Sequence, residues 1–572
     1  MDRLFRLPNL AYSLLLASVA QVSFAQGNVG DESTVRYSAS YFFEWAPVTA
    51  QDMLDRIPGL DLGGMGGFGG GSSSRGRSTG GSRRGSPGSG GGGRGFGGGS
   101  RSIEILINGK RTAGKNNSTD RQLSRIPSEQ VNRIEIIRGT SGELDVRGSG
   151  QVINVVLNEQ FSESSLQYAI GAEQSPDNTV RPRVELFYSG QTGGLNFQAS
   201  AMRYDPYFYT SSREYSILGD FSPNDRILEV QKRDPQGGGI TTNLDYEINS
   251  NSSARLNASW TDGTHTSDTV RKTTDFKVSP NIDTFQLETS PGIYGNWEIG
   301  GDYEFNTQAG NRWKILFISN ALESANTRER YDVLSETSKE KNLFLDSWSN
   351  TKERIVRGSY TFDLFESQDI EVGAERAQTI LDSKLALGLA GVTGTPSQSV
   401  GGLIPMPVSN ANSTVEEMRY EPFLIHNWII SQEMSLETSV LYEDSEIMQR
   451  GDVSKERDFD FVKPKVDFRY DLTPQLQLRG TIEKVVEQLT FNDFVAATDD
   501  QDEDSNVQAG NTDLRQEWYW NYEINSEYRL PNDIGVVSGR LYYEDWHDRI
   551  ERMDVTVNEA QLQSANGNIG DG

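Results

Sequence analysis

Beyond Phe161 the chain is built from short stretches in which every second residue is apolar, among them LQYAIGAE, RVELFYSG, LNFQASAMRY, ARLNASWTDG, NWEIGGDYEF, RWKILFIS and LQLRGTIEK. Successive side chains of a strand point to opposite faces, so a period of two demands β-structure with one apolar and one polar face. LNFQASAMRY and NWEIGGDYEF end in Tyr and Phe, most of the others also carry an aromatic ring, and polar breaks such as SGQTGG and NTQAGN separate the stretches. Alternation over about ten residues, closed by aromatics, is the pattern of membrane-crossing strands with their girdles. A soluble sandwich or propeller alternates in the same way, so the pattern by itself leaves both open. Roughly sixteen to eighteen candidate strands can be counted.

The N-terminus indicates where such a chain goes. Arg3 and Arg6 precede an apolar run from Leu10 to Val22, and Ser23-Phe24-Ala25 forms a small-x-small cleavage site. Residues 1–25 read as a secretory signal peptide, with the mature chain starting near Gln26. After it, no run approaches the ~18 apolar residues of a helical span, which leaves a secreted soluble protein or a β-barrel. A mean hydropathy of −0.57 fits a barrel, since half of each strand faces water. The chain has no cysteine and three histidines, so disulfides, thiol chemistry and His-based zinc sites are not expected. Its net charge of −27 repels strongly anionic solutes unless arginines gather locally.

Ahead of the alternating region lie several distinct pieces. Residues 26–48 form an aromatic-rich extended lead. Thr49 then opens a short helix, TAQDMLDRIPG, with Asp52 as its capping-box partner and Pro58-Gly59 as its stop. Residues 62–100 are glycine and serine interrupted by Arg75, Arg77, Arg83, Arg84 and Arg94, a composition that cannot form a packed core. Such arginine-glycine repeats also suit RNA-binding tails, but an exported chain meets little RNA, and no nucleic-acid partner is expected. Next come the strand SIEILINGKR with its Asn108-Gly109 turn signal, a second short helix in STDRQLSRIP, and the paired strands of VNRIEIIRGTSGELDVRGSGQVINVVLNE. The stretch GKRTAGK has the spacing of a phosphate-binding loop, yet Asn116 stands where Ser or Thr would hold magnesium, and a hairpin turn explains its glycines better.

With these motifs in order, the chain resembles the TonB-dependent outer-membrane receptors over nearly its whole mature length. VTAQDMLDRIPGL is similar to the first helix and turn of their plug domain, ILINGKR to its central hairpin, and IEIIRGTSGELDVRGSGQVINVVL to the charged glycine-rich stretch that closes it. Farther on, QLTFNDF and GNTDLRQE resemble motifs of the barrel, with Gln516 where the family usually has proline. The resemblance implies a mainly β fold: a small α/β plug domain, residues 49–160, inside a large antiparallel transmembrane β-barrel, residues 161–572, twenty-two-stranded in the family. The ending SANGNIGDG has no terminal aromatic strand, and the expectation is that C-terminal barrel strands are missing.

The resemblance also implies a function, active transport of a scarce solute across the bacterial outer membrane, with a periplasmic TonB-type energy transducer, a small-molecule or oligosaccharide ligand and outer-membrane lipid as partners. No cofactor and no enzymatic activity are expected. Ferric siderophores and similar chelates, cobalamin and oligosaccharides are the ligand classes. A passive porin-like channel and a surface ligand-binding or sensor barrel are the alternatives. The family's transducer-binding box falls at Ser33, Thr34, Val35, Arg36 and Tyr37, a segment suited to adding as an edge strand to the partner's sheet; ASYFFEW is a competing position. Ile134, Ile136, Val152 and Val155 are expected to share the plug core, and Glu135, Arg138 and Arg147 to pair with charges on the barrel wall. Tyr204, Tyr207, Phe208 and Tyr209 suit a membrane girdle or stacking on a ligand. Asp500, Asp502 and Asp504 alternate as in a calcium loop, but Ser505 and Asn511 replace its glycine and its bidentate glutamate, so a solvated acidic loop is the better reading.

Overall fold

The computed structural model describes residues 34–57, 104–109, 123, 126–138, 151–158, 164–498, 507–531, 535–556 and 563–572. The signal peptide, the Gly/Ser/Arg-rich insertion, most of STDRQLSRIP, Ser33, Arg147, Asp500, Asp502 and Asp504 lie outside the described residues.

The N-terminal part folds on a four-stranded sheet of β1 (Thr34–Ser38), β2 (Glu104–Ile107), β3 (Val131–Arg138) and β4 (Gln151–Leu157), in the order β1-β3-β4-β2. β1 and β4 run antiparallel to β3, and β2 runs parallel to β4. Helix α1 (Ala50–Leu54) starts with the expected box: Thr49 Oγ1 accepts from the Asp52 amide and Asp52 Oδ2 accepts from the Thr49 amide at 2.9 Å. Asn108 and Gly109 both take positive φ at the turn after β2, where a side chain with local polar contacts and a glycine are tolerated. Ile134, Ile136 and Val155 pack with Phe42, Met53, Leu54 and Leu123 in one core. Val152 does not join them. It lies an odd number of positions from Val155, so strand alternation sends it to the other face, with Leu106 and Ile137.

The remainder forms an eighteen-stranded sheet. Its strands are β5 (Ser164–Gln174), β6 (Val180–Thr192), β7 (Leu195–Tyr204), β8 (Phe208–Ile217), β9 (Pro223–Arg233), β10 (Gln236–Asn249), β11 (Ser252–Asp275), β12 (Ile282–Asn306) and β13 (Arg312–Ser335). They continue as β14 (Ser338–Phe365), β15 (Gln368–Leu389), β16 (Ile404–Met406), β17 (Asn412–Ile429), β18 (Met434–Gly451), β19 (Lys455–Thr473) and β20 (Leu476–Val486). After β21 (Ala497–Thr498) and β22 (Val507–Gln508) the wall resumes with β23 (Trp518–Arg529) and β24 (Val536–His547). Antiparallel ladders join neighbours from β10 to β15 and from β17 to β20, with β15 pairing β17 and β20 pairing β23. The β8–β9 ribbon attaches to the distal half of β11. Finally β25 (Arg549–Asp554) and β26 (Gln563–Gly570) make a small sheet with β21 and β22.

Two faces and two ends follow from this pattern. One face of the wall exposes large apolar residues at alternate positions, such as Leu166, Tyr168 and Ile170 on β5 or Trp313, Ile315 and Phe317 on β13. The other buries polar and charged residues, such as Ser413, Glu417 and Arg419 on β17 or Glu437, Ser439 and Glu443 on β18. An apolar outside and a polar inside is the inverse of a soluble sandwich and the requirement of a wall in lipid. At one end the strands are joined by short turns, for example Gln432 and Glu433 beside β18; at the other, longer connections run, 390–411 and 487–517 among them.

Candidate functional site

The N-terminal four-stranded sheet sits within the short-turn end of the wall. Gln130 Nε2 donates to Ser189 Oγ at 3.4 Å on β6, and Arg529 Nη1 on β23 donates to the Tyr37 hydroxyl at 3.4 Å. Between the two bodies lies a cavity whose lining alternates plug residues Asn108, Gln130 and Asn158 with wall residues Gln198, Asn243 and Asn257. Amide side chains make up most of its polar lining, with Asp245 and Arg255 its charged residues.

Thr34–Tyr37, the described part of the candidate box, form most of β1. They are already paired: Thr34 faces Ile137, Val35 faces Ile136, Arg36 faces Glu135 and Tyr37 faces Ile134. Tyr37 is buried at 3 % exposure and stacks edge-on against Tyr41 at 5.0 Å. The competing stretch ASYFFEW is a short 3-10 turn whose Phe42 is fully buried in the plug core. Glu135 departs from expectation. Its recorded partners are Arg133 at 2.8 Å, Arg36 at 3.3 Å and Asn154 at 2.9 Å, all within the plug. The register explains this, because β1 brings Arg36 directly opposite Glu135. Arg138 ends β3, facing Gln151; its side chain lies outside the described residues.

Midway along the wall an ionic layer crosses β14, β15, β17, β18 and β19. Arg419 Nη2, in a residue 1 % exposed, donates to Glu375 Oε1 at 3.1 Å, and Arg357 lies 3.8 Å from the same carboxylate. Lys463 bridges Glu421 and Glu443, the latter at 2.9 Å. Gln516 Nε2 donates to the other oxygen of Glu443 at 3.2 Å. Buried charges persist when paired and hydrogen-bonded in this way. The sequence carried a signal for this layer in Glu417 and Arg419 of STVEEMRY and in the charges at every second residue of VKPKVDFRYD, which land on the inner face, whereas Glu416 falls on the outer one.

Toward the long-connection end, residues 487–498 and 507–517 fold inward against the wall. Leu489, Phe491, Phe494, Val495 and Leu514 pack on Leu381, Val415 and Ile447 of β15, β17 and β18. Thr490 and Asp493 form a second capping box, and Gln449 Nε2 donates to the Phe494 carbonyl at 3.1 Å. Gly510 runs so close that a Cβ there would lie 2.3 Å from the Phe494 carbonyl oxygen. Lys455 donates to Asp513 and thereby holds that carboxyl below the usual carboxylate range. β26 closes over the segment, Asn566 donating to Asp493 at 2.6 Å. The aromatics of RYDPYFYT stand at this end too, with Arg183 over Tyr204, Arg181 over Tyr207 and Arg233 over Phe208. Among the described residues no group of three His, Cys, Asp or Glu is placed to hold a metal ion.

Comparison with known proteins accords with this architecture. No curated protein sequence matches the chain. Among solved structures it is similar to the copper transporter OprC, with 11 % identity, a TM-score of 0.51, and 94 % of this chain and 74 % of that chain covered. The siderophore receptor PirA of Pseudomonas aeruginosa gives 12 % identity, a TM-score of 0.48 and coverage of 94 % and 80 %. The hemophore receptor HasR of Serratia marcescens gives 10 %, 0.46, and 95 % and 78 %. Residues 72–572 match the family described as TonB dependent receptor-like, beta-barrel, and the chain belongs to that family.

Proposed function

We propose that this protein imports a scarce solute across the bacterial outer membrane, drawing the necessary work from a periplasmic partner that pulls on its N-terminal strand. The observation that carries the reading is the placement of β1. It is the outermost strand of the plug sheet, with one edge on β3 and the other unused by that sheet. It sits at the short-turn end, which in such barrels faces the periplasm. A partner strand can add along that outer edge through backbone hydrogen bonds, and force on β1 is then passed to β3 through their ladder.

Binding alone cannot drive accumulation, so the partner supplies the free energy, and ligand occupancy biases the lead by coupling across the plug. PirA is named a siderophore receptor, OprC a copper transporter and HasR a hemophore receptor, which makes ferric chelates, copper and haem the first solutes to test, followed by cobalamin and oligosaccharides. Deleting residues 33–37 is expected to abolish energised uptake of the solute while surface binding persists. Uptake that survives the deletion, or survives loss of the transducer, overturns the reading in favour of a passive channel.

A further inference from the structure

Resting on the import reading, we propose that solute crosses through one half of the lumen only, along the inner face of β10–β14, and that the half bounded by β15–β19 is a fixed partition. The two halves differ most toward the long connections, where an apolar segment packs on one of them. On β15, β17 and β18 nearly every second residue is buried, from the short turns to the long connections. The inward-folded segment seals the distal part of that half with Leu489 and Phe494 at 1 % exposure and Leu514 at zero. Beneath it the Glu375, Arg419, Glu443 and Lys463 layer is tied to the same segment through Gln516. The 390–411 connection also holds its backbone, Asn410 Nδ2 donating to the Gly510 carbonyl at 2.9 Å. Displacing such a body exposes a hydrophobic cluster and unpairs buried charges together, so it belongs to the stable part of the molecule.

Across the lumen the middle of β11, β12 and β13 presents small polar residues that are only half-buried: Ser259, Thr261, Ser267, Ser290, Ser324 and Asn326. Larger rings there lie flat against glycines. The Tyr294 hydroxyl rests where a Cβ at Gly237 or Gly263 would come within 2.3 or 2.5 Å, and the His265 ring rests where one at Gly292 would come within 2.3 Å. Glycine in a strand interior marks such close approach, and here it lets bulky side chains hug the wall. The cavity between plug and wall opens on the same side, lined by Asn243 of β10 and Asn257 of β11. Buried ion pairs stand in this sector as well, Arg255–Asp302 toward the short turns and Arg328–Glu288 toward the long connections, but the half-buried serines and threonines between them leave it without the inward-folded apolar seal of the other half.

The chain has no cysteine, which permits a direct test on the full-length protein in intact cells. Single variants Ser324→Cys and Ser267→Cys probe the hydrated half; Ser445→Cys and Ser439→Cys, in residues 2 % and 8 % exposed, probe the partition. With fluorescein maleimide during energised growth, the first pair is expected to label at least about tenfold faster than the second, because a thiol in a closed region reacts only while that region is open. All four are expected to label fully in denaturant, and two residues on each side guard against one misfolded variant. Comparable rates at Ser445→Cys, or labelling of it that rises when the transducer is present, overturn the proposal. Unchanged labelling on deleting the transducer, with the contrast between halves intact, counts against energised import alone.

Discussion

Tyr37 shows how one side chain can fix the lead. Its ring is buried in the plug while its hydroxyl accepts from Arg529 on the wall, so it ties β1 to both bodies. Tyr37→Phe keeps the ring and removes one hydrogen bond to a charged donor, a loss of about 1.5–3 kcal/mol at most. Amide exchange in Val35 and Arg36 is therefore expected to accelerate, by roughly tenfold at the lower figure, while exchange in β4 stays unchanged; equal protection in both proteins rules the tie out. Arg419 offers a sharper case. Its charge neighbours are Glu375 and Glu443 on the adjoining strands and Glu417 and Glu421 on its own, and Arg419→Met leaves those carboxylates without their central cation. Breaking a buried pair from one side costs about 3–5 kcal/mol. A clear fall is expected in the temperature at which the protein loses its folded, heat-modifiable gel migration, whereas Arg450→Met, on an exposed residue, leaves that temperature nearly unchanged.

Elements differ in how much of them could be read from sequence. Period-two stretches such as RWKILFIS and LQLRGTIEK were legible because alternation is a local property, and Trp313–Ile318 and Leu476–Glu483 are strands. The capping box at Thr49 was legible for the same reason. Pairing across long separations was not. Nothing near Thr34 announces that its segment docks on β3, about a hundred residues later, and a short extended stretch suits a partner's sheet as well as its own. Glu135 was assigned to the wall for want of that register. QLTFNDF and GNTDLRQE were recognisable as motifs, but their inward fold depends on apolar residues of β15, β17 and β18 that face a lumen where polar residues are the rule. Gly510 tests this element. A Cβ at that position collides with the Phe494 backbone, which cannot swing aside as a side chain would, so Gly510→Ala is expected to cost about 1–3 kcal/mol. The loss is to be read as faster exchange confined to residues 487–517, and an unaltered exchange pattern removes the close approach from the account.

For the molecule as a whole, the outer face is where physical chemistry is least forgiving. Aromatics stand outward in two tiers, Trp313, Tyr360 and Trp428 near the short turns and Trp260, Trp297, Tyr420 and Tyr442 farther along. At ~3.3 Å per residue the interval from Tyr420 to Trp428 covers ~27 Å of strand, and the tilt usual in barrels brings this close to the apolar band of an outer membrane. Leu424 lies between the tiers, level with Val372 and Val440 on the adjoining strands, and is 46 % exposed. In water an exposed leucine is replaceable at within about 0.5 kcal/mol. In lipid, arginine at the middle of the band costs about 2–4 kcal/mol. Leu424→Arg in vesicles is therefore expected to lower the denaturant midpoint strongly, and Glu456→Arg, beyond the outer tier on β19, to leave it almost unmoved. Equal midpoints for the two variants place the wall in water, and with it goes the need for a plug, a pulling partner and a path between them.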